Sequence, residues 1–171
     1  MLFLTANVAS ASRIELRAVV SDRVLEVYLD GRLHETYEVA VGKPKNPTPT
    51  GSFKVEKLIW NPSWVPPPNA EWAKGKEAKK PGDPGNPMRV AKIFFKQPDY
   101  YIHGTLDTTS IGDAKSHGCI RMNPWDVAAL GRLMMQYGGK TKPESWFDEV
   151  IEGDRTEVVT LDEPIRMRVV D

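Results

Sequence analysis

"RIELRAVVSDRVLEVYLDGRLHETYEVAV", residues 13–41, decides the fold. Leu25, Val27 and Leu29 recur at every second position, the period of a half-buried strand and not of a helix. Ser21-Asp22 separates the first apolar run from the second, and Asp30-Gly31 separates the second from the third. An Asp-Gly pair suits a type I′ hairpin turn, which needs positive φ at both central residues. The third run places Leu33, Tyr37, Val39 and Val41 at alternating sites, with His34 on the opposite phase, toward solvent. These features predict a three-stranded antiparallel meander.

The same signals continue downstream. A Pro-rich loop leads into a strand around Phe53 and Val55, followed by "RVAKIFF" (89–95) and "YYIHG" (100–104). The chain closes with two predicted strands, "EVVTL" (157–161) and "IRMRVV" (165–170), around an Asp162-Glu163-Pro164 turn. "NPWDVAALGRLMMQYGG" (123–139) predicts a helix: Asn123 caps it, Pro124 takes the first position and Asp126 complements the positive dipole end. Val127, Leu130, Leu133, Met134 and Tyr137 share its apolar face, and Gly138 stops it. "KPESWFDEVIEG" (142–153) is a second, shorter helical candidate. The predicted fold is mainly β, a sandwich or barrel with one or two packed α-helices.

The 171 residues suit one domain with a proper core. Lys plus Arg, 23, balances Asp plus Glu, 23, and so lacks the basic excess of a nucleic-acid binder. No apolar run is long enough to span a bilayer. Residues 1–12, "MLFLTANVASAS", compete between the tail of an export signal and a first strand; the Ala9-Ser10-Ala11 triplet favours the signal. Residues 60–88 form a long irregular segment with three tryptophans, and half of the fourteen prolines fall between Pro62 and Pro87. Its lysines and glycines suit a solvated loop, whereas its tryptophans favour a partly ordered lid over a site.

The chemistry gathers in "YYIHGTLDTTSIGDAKSHGCIRMN", residues 100–123, which holds two of three histidines and the single cysteine. One cysteine excludes an internal disulfide. Cys119 lies just before the capped helix, near its positive end, where a thiolate is favoured. His103 ends a strand and is followed by Gly104, which lets another loop approach closely. If the two meet, His103 is a base and Cys119 a nucleophile. The His117-Gly118-Cys119 backbone can turn N–H groups onto an oxyanion. Two alternatives stand beside this: Cys119 as a small buried hydrophobe, and a zinc site from His103, His117 and Cys119 with His34. One residue between His117 and Cys119 is tighter than paired zinc ligands usually are.

"IHGT", "IG" and "SHGCIRMN" closely resemble the catalytic signature of the L,D-transpeptidases, the cell-wall enzymes with a YkuD-type domain. "TPTGSF", "NPSWVPP" and "GNPM" resemble further segments of that family, so the resemblance runs from Arg13 to the C-terminus. Arg89 departs from the pattern, standing where the family commonly has glycine. The resemblance implies a β-rich catalytic domain whose cysteine attacks the third residue of a peptidoglycan tetrapeptide stem and expels the terminal D-alanine. An amine then resolves the thioester: a second stem, an anchored protein's lysine or a free D-amino acid. It makes Cys119 the nucleophile, His103 the base and the Gly104 carbonyl its orienter, with the N–H groups of His117, Gly118 and Cys119 around the oxyanion. Ser116 supports the loop or His103, and Arg121 meets a substrate carboxylate or a local ion pair. Tyr101, Asn123, Trp64 and Trp72 are the remaining candidates for substrate contact. The resemblance implies no metal, no organic cofactor and no nucleic-acid partner, and a monomer working in the periplasm or otherwise outside the cytoplasm. An L,D-carboxypeptidase, with water as acceptor, and a non-catalytic wall-binding domain of the same fold are the alternatives.

Overall fold

The computed structural model describes residues 13–171. The stretch expected to be an export-signal remnant lies outside the described residues. Strands β1 (Ile14–Val19), β2 (Val24–Leu29) and β3 (Arg32–Glu38) pair antiparallel in chain order. Asp30 and Gly31 both take positive φ, 49° and 77°, as the hairpin signal requires. The meander departs from its prediction in one respect. β3 is the edge strand and carries no buried stripe: Leu33 is 56 % exposed. Val39 and Val41 are buried where the chain crosses to the other edge of the sheet: the Val39 N–H donates to the Arg23 carbonyl, and Ala40 exchanges a pair of backbone hydrogen bonds with Arg121. Val41 lies in β4 (Val41–Gly42), which pairs in parallel with β8 (Ala114–Ser116).

The main sheet continues through β5 (Gly51–Trp60), β6 (Arg89–Lys96), β7 (Tyr100–Gly104), β9 (Ile120–Met122) and β10 (Glu157–Val170). Its order is β3-β2-β1-β10-β5-β6-β7-β9, with parallel contacts only at β1–β10 and β7–β9. The two C-terminal strands predicted around Asp162-Glu163-Pro164 are one strand. Both halves pair with the ten-residue β5, and the register shifts between Thr160 and Ile165. The expected turn is therefore a bulge. It is anchored from outside the sheet, since the Asp162 and Glu163 N–H groups donate to the Gly138 carbonyl and Lys140 pairs with Asp162 at 2.5 Å.

Helices α1 (Pro124–Tyr137) and α2 (Glu144–Glu152) form as predicted, and Asn123 Oδ1 accepts the Trp125 N–H at 3.0 Å. α1 packs across β6 and β7, burying Leu130, Met134 and Met135 against Ile93, Ile102 and Ile120. Trp60 is fully buried at the end of β5. Its Nε1–H points at Met135 Sδ, 3.2 Å away, and Phe147 of α2 meets it edge-on at 5.1 Å. Trp60 thus belongs to the core and not to the segment that follows.

Two asparagines order that segment. Asn61 Nδ2 donates to the carbonyls of Gly153 and Arg155 at 2.8 and 3.2 Å, while its Oδ1 accepts the Gly82 N–H at 2.8 Å. Asn86 Nδ2 donates to the Pro62 carbonyl at 2.7 Å, and its Oδ1 accepts the Met88 N–H at 2.8 Å. Both side chains are buried, so each carries backbone groups that would otherwise lie unsatisfied. Between them, Trp64 and Lys79 exchange a pair of backbone hydrogen bonds. The Asn-Pro steps of the sequence are therefore tie points of an ordered strap.

Candidate active site

The pleat separates core from site. Ile93 pairs with Ile102, and Ile102 with Ile120, and all three are buried under α1. Their neighbours must face the other way. Lys92 pairs with His103, Phe94 with Tyr101, and His103 with Arg121. Cys119, two residues before Arg121, falls on the same face. Lys92, Tyr101, His103, Cys119 and Arg121 consequently line one cavity of about 1140 Å³.

His103 is buried, and its Nδ1 lies 2.7 Å from the Gly104 carbonyl. A carbonyl only accepts, so that bond assigns the proton to Nδ1 and leaves Nε2 as an acceptor. Burial pushes the imidazole pKa down to about 4, assisted by Arg121 and Lys92 and opposed by the Gly104 bond. Folded His103 therefore binds fewer protons than unfolded histidine, and stability rises with pH. Its contribution is whole above 6.5 and is lost as pH falls through about 4. Complete loss amounts to about 3 kcal/mol. Urea unfolding of wild type and His103→Gln between those limits should show the wild-type slope flattened in the variant. Parallel slopes would remove His103 as the titrating group.

Cys119 is half-buried, and its thiol donates to the Asp99 carbonyl at 3.3 Å. Burial raises the thiol pKa, while the Tyr101 N–H, the Lys92 ammonium, the Tyr101 hydroxyl and Arg121 all favour the thiolate. Burial in turn pushes the Tyr101 hydroxyl well above its ordinary range, with Cys119 adding to the effect. At neutral pH the resting pair is a thiol and a neutral imidazole. The thiol's hydrogen bond runs to Asp99 and not to His103.

The loop before the cysteine is held by one hydroxyl. Ser116 Oγ donates to the Cys119 carbonyl at 2.5 Å and accepts the Gly118 N–H at 3.1 Å. Gly118 has φ +111°, and a Cβ there would lie 2.8 Å from the Tyr100 ring, so only glycine fits. His117 Nε2 lies 3.1 Å from Lys43 Nζ; the ammonium can only donate, so Nε2 accepts. Burial and then Lys43 lower the His117 pKa, and its ring stacks on Trp72 with centroids 4.4 Å apart.

Arg121 faces the cavity and lies 3.8 Å from Asp107 and 3.5 Å from Ser110 Oγ. Trp64 is buried in the cavity wall and Trp72 is 39 % exposed at its rim. Asn123 is not in this cavity. Its side chain is used as the α1 cap, and it lines a separate acidic depression with Glu35 and Asp126. His34 does not line this cavity: it lies on β3, well before Ala40, the residue at which the chain meets Arg121. Lys92, Lys43, Asp99 and Tyr100 join the site without having been singled out in the sequence. A signal existed for Lys92 alone, a lysine on the off-core phase of "RVAKIFF". Arg89 leaves the β6–β7 approach tight: its carbonyl lies against Gly104.

Residues 14–158 match the family model described as the L,D-transpeptidase catalytic domain, YkuD. The chain is 31 % identical to YkuD of Bacillus licheniformis over 75 % of its own length and 66 % of the relative's. It is 36 % identical to YqjB of Bacillus subtilis over 62 % and 57 %. It thus spans less than two thirds of the length of these relatives. An L,D-transpeptidase from Mycobacterium smegmatis shares the fold at 17 % identity and a TM-score of 0.58, across 94 % of this chain and 59 % of that one. LD transpeptidase LdtMt1 in complex with imipenem does so at 20 % identity and the same score, across 93 % and 59 %. With residues 14–158 of its 171 inside that model, the chain belongs to the YkuD family of L,D-transpeptidase catalytic domains.

Proposed function

We propose that this domain is a cysteine-dependent L,D-transpeptidase acting on peptidoglycan tetrapeptide stems outside the cytoplasm. The observation that carries the proposal is the His103 Nδ1 bond to the Gly104 carbonyl. It leaves Nε2 as a free acceptor on the face and in the cavity that hold the only cysteine. Among the described residues no helix is long and apolar enough to cross a membrane.

In the proposed first step the Cys119 thiol turns from Asp99 and gives its proton to His103 Nε2 as the sulfur bonds to the carbonyl carbon of the third stem residue. The oxyanion is held by the N–H groups of His117 and Cys119. Gly118, expected to be a third donor, is committed to Ser116 Oγ. Collapse breaks the C–N bond, and the Nε2 proton leaves with the amine of D-alanine. An acceptor amine then gives His103 a proton, attacks the thioester and frees the thiol. The Gly104 carbonyl keeps the imidazole in the required tautomer, as a third residue does in other triads. Arg121 retains donors for a substrate carboxylate beyond Asp107. The ordered strap, residues 61–88, acts as the lid: Trp72 presses on His117 and Trp64 closes the wall.

Incubation with purified disaccharide-tetrapeptide should give crosslinked dimers that have lost one D-alanine, read by mass spectrometry. Tripeptide alone would make the protein a carboxypeptidase. No product from any amine acceptor would leave a wall-binding domain.

A further inference from the structure

The cavity holds a cation that neither the sequence signature nor the proposed steps use. Lys92 comes from β6, pairs in register with His103 and shares its face. Its ammonium lies 4.3 Å from the centroid of the Tyr101 ring and 5.8 Å from that of Phe94. Among the described residues no carboxylate lies within 4 Å of it, whereas Arg121, the other cation of this face, is paired with Asp107. A half-buried ammonium resting on aromatic faces keeps its field for whatever charge forms beside it. That neighbour is the Cys119 sulfur, which lines the same cavity as Lys92 and Tyr101.

We propose that Lys92 is the counter-charge of the Cys119 thiolate: held over the Tyr101 ring, it stabilises the anion that forms as the thiol gives up its proton. The proton goes from Sγ to His103 Nε2, and Lys92 keeps its own three. The charged and titratable groups around the sulfur are Tyr101 and His103 of β7, Arg121 of β9, His117 of the loop and Asp99 of the preceding turn. Lys57 of β5 stands behind Lys92, 4.6 Å from the Phe94 ring. Lys92 is the member of this set that is charged, unpaired and mounted on the rigid sheet. It acts in both directions. The cation favours the thiolate and disfavours the imidazolium, so its removal must raise both titrations together. The inference rests on Cys119 being the reactive thiol, and its test needs no peptidoglycan.

The chain has a single cysteine, so iodoacetamide labelling reports Cys119 without ambiguity. Alkylation rates would be measured against pH for wild type, Lys92→Met, Lys92→Gln, Lys92→Arg and Lys57→Met, each checked for an unchanged thermal melt. Methionine and glutamine keep much of the stem over Tyr101 and lose the charge; either suffices if the other fails to fold. Their profiles should move alkaline by about one pH unit, lowering the rate at pH 7 about tenfold. Lys92→Arg should stay near wild type, and Lys57→Met, which removes the same charge farther away, should overlay it. A Lys92→Met profile coincident with wild type would overturn the proposal. An equal shift in Lys57→Met would also overturn it, by showing an effect of net charge. A shift confined to Lys92 in a protein that leaves tetrapeptide unprocessed would support the counter-charge and overturn the substrate assignment instead.

Discussion

Under the proposed mechanism Cys119→Ala should form no acyl-enzyme with purified tetrapeptide, while the wild type gains one acyl adduct mass per chain. The same variant should lose turnover of tetrapeptide by at least about a thousandfold, the scale seen when the nucleophile of a triad is removed and only binding and oxyanion stabilisation remain. The effect is large because the chain offers no second thiol. The fold should survive. The sulfur is half-buried and makes one hydrogen bond, to the Asp99 carbonyl, so its loss removes about 1 kcal/mol. Intact-protein mass spectrometry separates the outcomes. An adduct of the same mass and stoichiometry on Cys119→Ala would place the nucleophile elsewhere and end the cysteine mechanism.

Gly104→Ala should damage stability and chemistry together. A Cβ at residue 104 would lie 2.1 Å from the Arg89 carbonyl oxygen and 3.0 Å from its carbon. Those atoms are backbone, in register with Gly104 across β6 and β7, and cannot swing aside as a side chain would. Relief requires the strands to part, at a cost of about 3 kcal/mol or more. The same movement displaces the carbonyl that holds His103 Nδ1. A displacement of about 1 Å in a catalytic group costs on the order of a hundredfold in rate. Urea unfolding and turnover, assayed where the variant remains fully folded, should both fall. Full activity in a destabilised Gly104→Ala would show that the Gly104 carbonyl does not orient the base.

The two predictions draw on different levels of the molecule. Cys119 was singled out from its neighbours in the chain: the only cysteine, just after a His-Gly pair and before a capped helix. The severity expected at Gly104 depends on Arg89, fifteen residues earlier, and on the register that brings them together. The atom concerned is a backbone carbonyl, which any residue at 89 would present, so the constraint is visible only across the strand pair.

Local signals fixed the elements whose causes are local. The meander, the Asp30-Gly31 turn and both helices follow from alternation, turn chemistry and capping, which act over a few residues. His103 and Gly104 were legible as a strand end, and Ser116 to Arg121 as a loop, for the same reason. What failed had distant causes. Asp162-Glu163-Pro164 carries every mark of a turn, yet β5 is long enough to pair both halves and the α1 terminus holds the bulge open. Leu33 keeps the strand period but lies on an edge that nothing covers. By contrast, Asn123 forms the helix cap that the sequence predicted, outside the cavity that holds Cys119.

The sequence by itself determined a β-rich chain, the single thiol, the strand-end histidine and their order, because these rest on residue type and short spacing. Tertiary structure alone decided that Lys92, Tyr101, His103, Cys119 and Arg121 share one face, because that depends on which strands pair and in what register. It also decided that the thiol rests against Asp99, that Ser116 claims the Gly118 N–H, and that Trp72 covers His117. Each joins side chains or backbone groups that only the folded sheet, loop and strap bring within reach. The pleat then turns an alternation of single residues into a core on one side and, on the other, a cavity that holds the thiol and the imidazole.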